Sequence, residues 1–107
     1  IEDWGVRQFL LKNLTRTPSG YEWAPNLDVL AARYDEILCP IAPARPFDGP
    51  ALFVRGGASG YVRDADWPQI QTLFPHARLV TIPDAGHWVH AQAPDAFADA
   101  VLSFLSE

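Results

Sequence analysis

Apolar positions along the chain follow two different spacings, one before residue 39 and one after residue 50. In residues 3–14, Val6, Phe9, Leu10 and Leu14 recur at helical intervals, with Asp3 placed to cap the first turn. Thr15 to Gly20 is a turn-rich break containing Pro18 and Gly20, and Tyr21-Glu22-Trp23 is a short extended piece ahead of Pro25. Asn26 is a suitable cap for a second helix from Leu27 to about Leu38, whose buried stripe is Leu27, Leu30, Ala31, Tyr34 and Leu38. Cys39 to Pro50 then holds four prolines and almost no periodicity, which predicts a surface connector.

Beyond it the spacing changes to short apolar runs. Ala51-Leu52-Phe53-Val54-Arg55 reads as a buried strand, followed by the glycine-rich stretch Gly56 to Val62. Asp64 or Asp66 can cap a helix that carries Trp67, Ile70, Leu73 and Phe74 up to Pro75. Residues 78–82 form a second strand, which Pro83 ends, and Gly86 permits a sharp bend beyond it. A last helix starts near Pro94, with Phe97, Ala98, Val101, Leu102 and Leu105 on its apolar face.

The pattern divides the chain into helical residues 1–38, a connector at 39–50 and a βαβα segment at 51–107. Consecutive βα units imply an α/β arrangement with parallel strands. Two such strands leave both sheet edges unpaired and do not make an independently stable sheet. Further strands are therefore expected from polypeptide outside the chain, either the N-terminal part of the same domain or a chain that supplies it.

Composition narrows the classes of partner. At 107 residues the chain is at most one small domain, and with 49% hydrophobic residues it is globular rather than disordered. A formal charge of −5 with scattered basic residues argues against nucleic acid, whose phosphates need clustered Lys and Arg. No apolar run approaches the roughly 20 residues of a membrane span, and the N-terminus lacks a signal-peptide pattern. The chain holds no Met, so a processed or truncated start is expected. The single Cys39 excludes an internal disulfide and fits a reducing, cytoplasmic compartment; nothing near it in sequence activates it as a nucleophile.

The chemistry concentrates after the second strand. His87 follows Ala85 and Gly86 on a loop at a carboxyl strand end, where open α/β sheets place their ligand crevices. Such an imidazole can act as a general base or metal ligand, or it can simply bond a backbone carbonyl. His90 lies three residues on, but no third ligand has suitable spacing and His76 is a whole strand away, so no metal site is expected. Trp88 and Val89 would bury this segment, which makes His90 a packed neighbour. Gly56, Gly57 and Gly60 fit neither a dinucleotide fingerprint nor a Walker loop, and no cofactor is implied. Gly57-Ala58-Ser59 begins a nucleophile-elbow pattern, but Tyr61 occupies the position of its last glycine, so Ser59 is a poor attacking serine.

These strings resemble a known family. Leu-Phe-Val-Arg-Gly-Gly-Ala-Ser-Gly-Tyr-Val (52–62) and Ala-Gly-His-Trp-Val-His-Ala (85–91) look like the C-terminal part of an α/β-hydrolase, in particular the small carboxylesterases of the YbfF type. Residues 1–38, with Trp23, Asn26 and Leu27, resemble the end of that family's helical cap. The resemblance implies a serine-type hydrolase of small acyl esters or thioesters. His87 matches the triad histidine, and the nucleophile and the acid come from polypeptide preceding Ile1. Most of the superfamily carries its acid near the position of Ser59; the YbfF-like subfamily has Ser there, and the local substitute is Asp64, whose plainer role is a helix cap. Trp23, Tyr61 and Trp88 become candidates to line an apolar acyl pocket. Two other readings stay open: a haloalkane or epoxide hydrolase with an Asp nucleophile, and a non-catalytic binding or assembly module presenting its tryptophans.

Overall fold

The computed structural model describes residues 2–40 and 43–107; residue 1 and positions 41–42 of the expected connector lie outside the described residues. The chain divides into two compact units, Ile1–Ile41 and Ala42–Glu107.

In the first unit, helix α1 spans Trp4–Leu11, and Asp3 caps it by accepting the Val6 N–H at 2.8 Å. Where a turn-rich break is expected after α1, the backbone forms a hairpin. Strand β1 (Leu14–Thr17) pairs antiparallel with β2 (Gly20–Trp23), Thr17 opposite Gly20, and Pro18 and Ser19 make the two-residue turn. Gly20, at φ 138°, takes a conformation that L side chains avoid. Helix α2 (Leu27–Ala32) is capped by Asn26, whose side chain accepts the Val29 N–H at 3.0 Å. The single helix expected through Leu38 is instead interrupted at Arg33, and a separate turn, α3 (Tyr34–Ile37), follows. Arg33 stands outside helical geometry and its guanidinium holds Glu36 at 2.7 Å. Apolar spacing carries no sign of this break, because both pieces keep their stripe.

The second unit carries the sheet. Strands β3 (Ala51–Gly56) and β4 (Ala77–Ile82) run parallel, from Ala51 opposite Ala77 to Gly56 opposite Ile82. Alternation sends successive side chains to opposite faces. On one face Phe53 meets Trp67 and Phe74, with ring centroids at 5.8 and 5.3 Å, so helix α4 (Trp67–Leu73) covers that side. Phe47 joins this layer by setting its ring at 59° to that of Phe74 and donating its N–H to the Leu73 carbonyl, which anchors the end of the connector. On the other face Val54 and Val80 pack against a cluster of Ile82, Ala85 and Val89, to which Ala93 and Phe97 add. Val89 lies on the short helix α5 (Val89–Gln92), which sequence spacing did not predict, and Phe97 on α6 (Pro94–Leu105). Arg78 ties α6 to β4 through Glu107 at 2.6 Å and through the face of Phe104.

Between β3 and α4 the expected aspartate cap takes another form. Asp64–Asp66 is a single 3₁₀ turn, and Asp66 accepts from the backbone and guanidinium of Arg63. No side chain caps α4 itself. No described helix is long and apolar enough to cross a membrane.

Candidate active site

The site is built from the two loops that leave the carboxyl ends of β3 and β4. Ile82 and Ala85 are 6% and 2% exposed, so the chain enters the second loop from the interior and returns to it before surfacing at His87. The turn between them is made by Asp84, at φ 61°, and not by Gly86, where the sequence suggested the bend. Aspartate tolerates this left-handed conformation better than most side chains.

Backbone hydrogen bonds join the two loops. Gly57 N–H donates to the Ile82 carbonyl at 2.8 Å, and Ala58 N–H donates to the Ala85 carbonyl at 3.0 Å. The approach is so close that a Cβ on Gly56 would lie 2.1 Å from the carbonyl oxygens of both Ala85 and Gly86. Glycine at position 56 is therefore required by contact with the histidine loop. From the other side, Gln92 on α5 accepts the Gly86 N–H through Oε1. Val89, 5% exposed, pins the start of α5 into the core.

His87 is exposed at the top of this frame. Its ring centroid is 4.2 Å from that of Tyr61, the planes inclined by 38°, a packing of ring against ring. Among the described residues its two nitrogens make no hydrogen bond. His87 and His90 do not share a helix, because α5 begins at Val89; His90 instead sets its ring edge to face with Phe97 at 6.2 Å. His76 lies in the turn ahead of β4. No group of three metal-ligating side chains occurs among the described residues.

The remaining candidates separate. Ser59 is engaged in its own turn, with its N–H on the Gly56 carbonyl and its Oγ accepting the Tyr61 N–H at 3.3 Å. Asp64 is 90% exposed and its carboxylate is paired with Arg55. Trp88 is half-buried at the start of α5, while Trp23 belongs to β2 of the other unit. The structure thus brings Tyr61 to His87, and it binds Asp64 into the loop that carries Tyr61. Among the acids nearby, Asp66 is held down to about 2, chiefly by the hydrogen bond from the Arg63 side chain.

The frame also depends on Arg55, Gly56, Asp84 and Gln92, which the sequence pattern does not mark as site residues. Two carried a legible sign: a charged residue and then a glycine close a buried strand at the side where ligands bind. Asp84 and Gln92 act through contacts that only the folded loops create.

Comparison with known proteins places this geometry. Residues 2–100 match the model of the Alpha/beta hydrolase family. The chain is 44% identical over 106 residues to the sn-1-specific diacylglycerol lipase ABHD11 of Mus musculus, an alignment that takes in 99% of the chain and 34% of the lipase. It is 40% identical over 108 residues to the esterase YbfF of Escherichia coli, covering all of the chain and 40% of that enzyme. A solved marine microorganism esterase superposes on 97% of the chain and 41% of its own, with a TM-score of 0.90 and 43% identity. The chain spans about a third to two fifths of the length of these relatives.

Proposed function

Because the chain belongs to the alpha/beta hydrolase family, we propose that it is the C-terminal part of a serine-type hydrolase of small acyl esters or thioesters and supplies that enzyme's histidine, His87. The observation that carries this reading is an exposed imidazole fixed just past the last strand, on a loop bonded to its neighbour and to α5. In this position the ring can receive a proton from a serine hydroxyl on a neighbouring strand as that oxygen attacks the acyl carbon. It then returns the proton to the departing alcohol or thiol, and repeats the cycle with water. The serine, the donors that stabilise the oxyanion and the remaining strands come from polypeptide outside the chain. The pairing of Asp64 with Arg55 favours taking the triad acid from there as well.

Tyr61 and Trp88 are the side chains next to this imidazole that can meet an acyl group, and residues 1–38, with Trp23, are assigned to the end of a helical cap. Lipase and esterase relatives support an ester substrate. A cytoplasmic setting accords with the single cysteine.

Turnover of nitrophenyl esters of increasing acyl length by the full-length protein, beside its His87→Ala variant, tests the reading. The variant is expected to lose roughly 10⁴-fold or more in kcat. Near-normal turnover by that variant rejects it.

A further inference from the structure

Arg55 reaches across the site in a way the triad scheme does not use. Its side chain is 17% exposed and its donors go to three residues on two segments, strand β4 and the loop after β3. Nε donates to the Thr81 hydroxyl on β4 at 2.9 Å, Nη1 to the Val62 carbonyl at 2.9 Å, and Nη2 to the Asp64 carboxylate. A guanidinium presents its N–H groups as a rigid planar fork, so three such bonds fix the bound segments relative to one another.

The loop it fastens carries Tyr61. That ring is 76% exposed, so burial does little to hold it over His87. Its position instead follows from its backbone, anchored at Val62 by Arg55 and at Ser59 by the turn. Ring-on-ring packing covers one face of the imidazole. The nitrogens bond in the plane of the ring, and a neighbour on the face leaves them available while opposing tilt and rotation.

We propose that Arg55 is a positioning residue for His87: it clamps the loop 57–64 to β4 and so seats Tyr61 on the imidazole face, holding the nitrogen-bearing edge toward the reacting serine. The role in proton transfer rests on the hydrolase reading above, whereas the clamp itself is a matter of geometry.

The test uses the full-length protein with histidine side chains isotopically labelled, His87 being assigned by the signal lost in His87→Ala. In the unsubstituted protein the ring current of Tyr61 displaces the His87 carbon-bound protons upfield. Arg55→Met and Tyr61→Ala are expected to relax that displacement and to lower kcat by roughly 10- to 100-fold, a size typical of a misplaced catalytic group. Tyr61→Phe, which keeps the ring, retains the upfield displacement. Thr81→Val removes one of the three bonds without leaving a buried charge, and produces a smaller change of the same sign; it decides the matter if Arg55→Met does not fold. Unchanged His87 signals in Arg55→Met or Thr81→Val overturn the clamp, as does a Tyr61→Phe variant whose His87 signals match those of Tyr61→Ala. If His87→Ala keeps full ester turnover, the hydrolase reading fails, while the proton shifts still decide whether Arg55 places the ring.

Discussion

The two units use their apolar residues in opposite ways. Among residues 2–40 not one side chain is buried, and Trp4, Tyr21 and Leu38 stand largely in solvent. In the second unit the buried apolar residues are Ile82, Ala85 and Val89, all within a few positions of His87. Order is therefore concentrated around the loop that presents the imidazole, and the first unit is held by local bonds: two asparagine or aspartate caps, a hairpin of two four-residue strands and an ion pair. The caps contribute about 1 kcal/mol each, and the exposed ion pair, screened by solvent, contributes less. The physical lesson is that a short segment can fix where one loop side chain stands while many of the chain's large apolar residues remain exposed.

The contrast breaks most visibly at Gly56. Gly56→Ala puts a methyl group against two carbonyl oxygens of the histidine loop, so that loop must move. Overpacking of this kind costs about 1–3 kcal/mol, and a displaced catalytic group loses on the order of 100-fold in turnover. Gly60→Ala is the control, since a Cβ there meets nothing within 4 Å and φ is unstrained. Melting temperature and ester turnover of the two full-length variants should diverge; equal behaviour would mean that the loop is not held against β3.

Amide hydrogen exchange across residues 1–107 of the full-length protein sharpens the comparison. Amides of β3 and β4, which pair with each other beside the only buried cluster among the described residues, should exchange at least roughly tenfold more slowly than those of α1, α2 and α3. Equal protection would show that the first unit is as firmly ordered as the second and would remove the contrast.

A smaller effect concerns acid. Asp66 has its pKa lowered from 3.8 to about 2 by Arg63, so its charged form stabilises the fold above the unfolded value. That contribution is lost as pH falls through about 2. The bonds from Arg78 lower Glu107 in the same direction, with stability again present above its ordinary value and lost on acidification. Both pairs are exposed and screened, so the changes are small. Asp66→Asn should flatten the fall of the urea midpoint between pH 4 and 2; an unchanged slope would remove Arg63–Asp66 from the account.

Much of this is legible in the sequence. The two parallel strands, the loop placement of His87, the caps Asp3 and Asn26, and the start of α6 at Pro94 follow from runs, caps and prolines, whose signals are local. Membership of the alpha/beta hydrolase family could be read from the strings around Arg55 and His87. The hairpin was missed because Thr15, Arg16, Glu22 and Tyr21 all face solvent, which leaves β1 and β2 no hydrophobic alternation to reveal them. The break at Arg33 and the left-handed Asp84 were invisible for another reason: both are backbone conformations that no spacing of side chains encodes. Arg55 looked like the polar end of a strand, and its three partners lie 7, 9 and 26 residues away.

The most direct test of the central claim, that His87 moves the proton of an attacking serine, is the rate at which a serine-directed fluorophosphonate adds its mass to the full-length protein. The account predicts stoichiometric labelling that slows by roughly 10³-fold or more in His87→Ala. Labelling of both proteins at the same rate would contradict it.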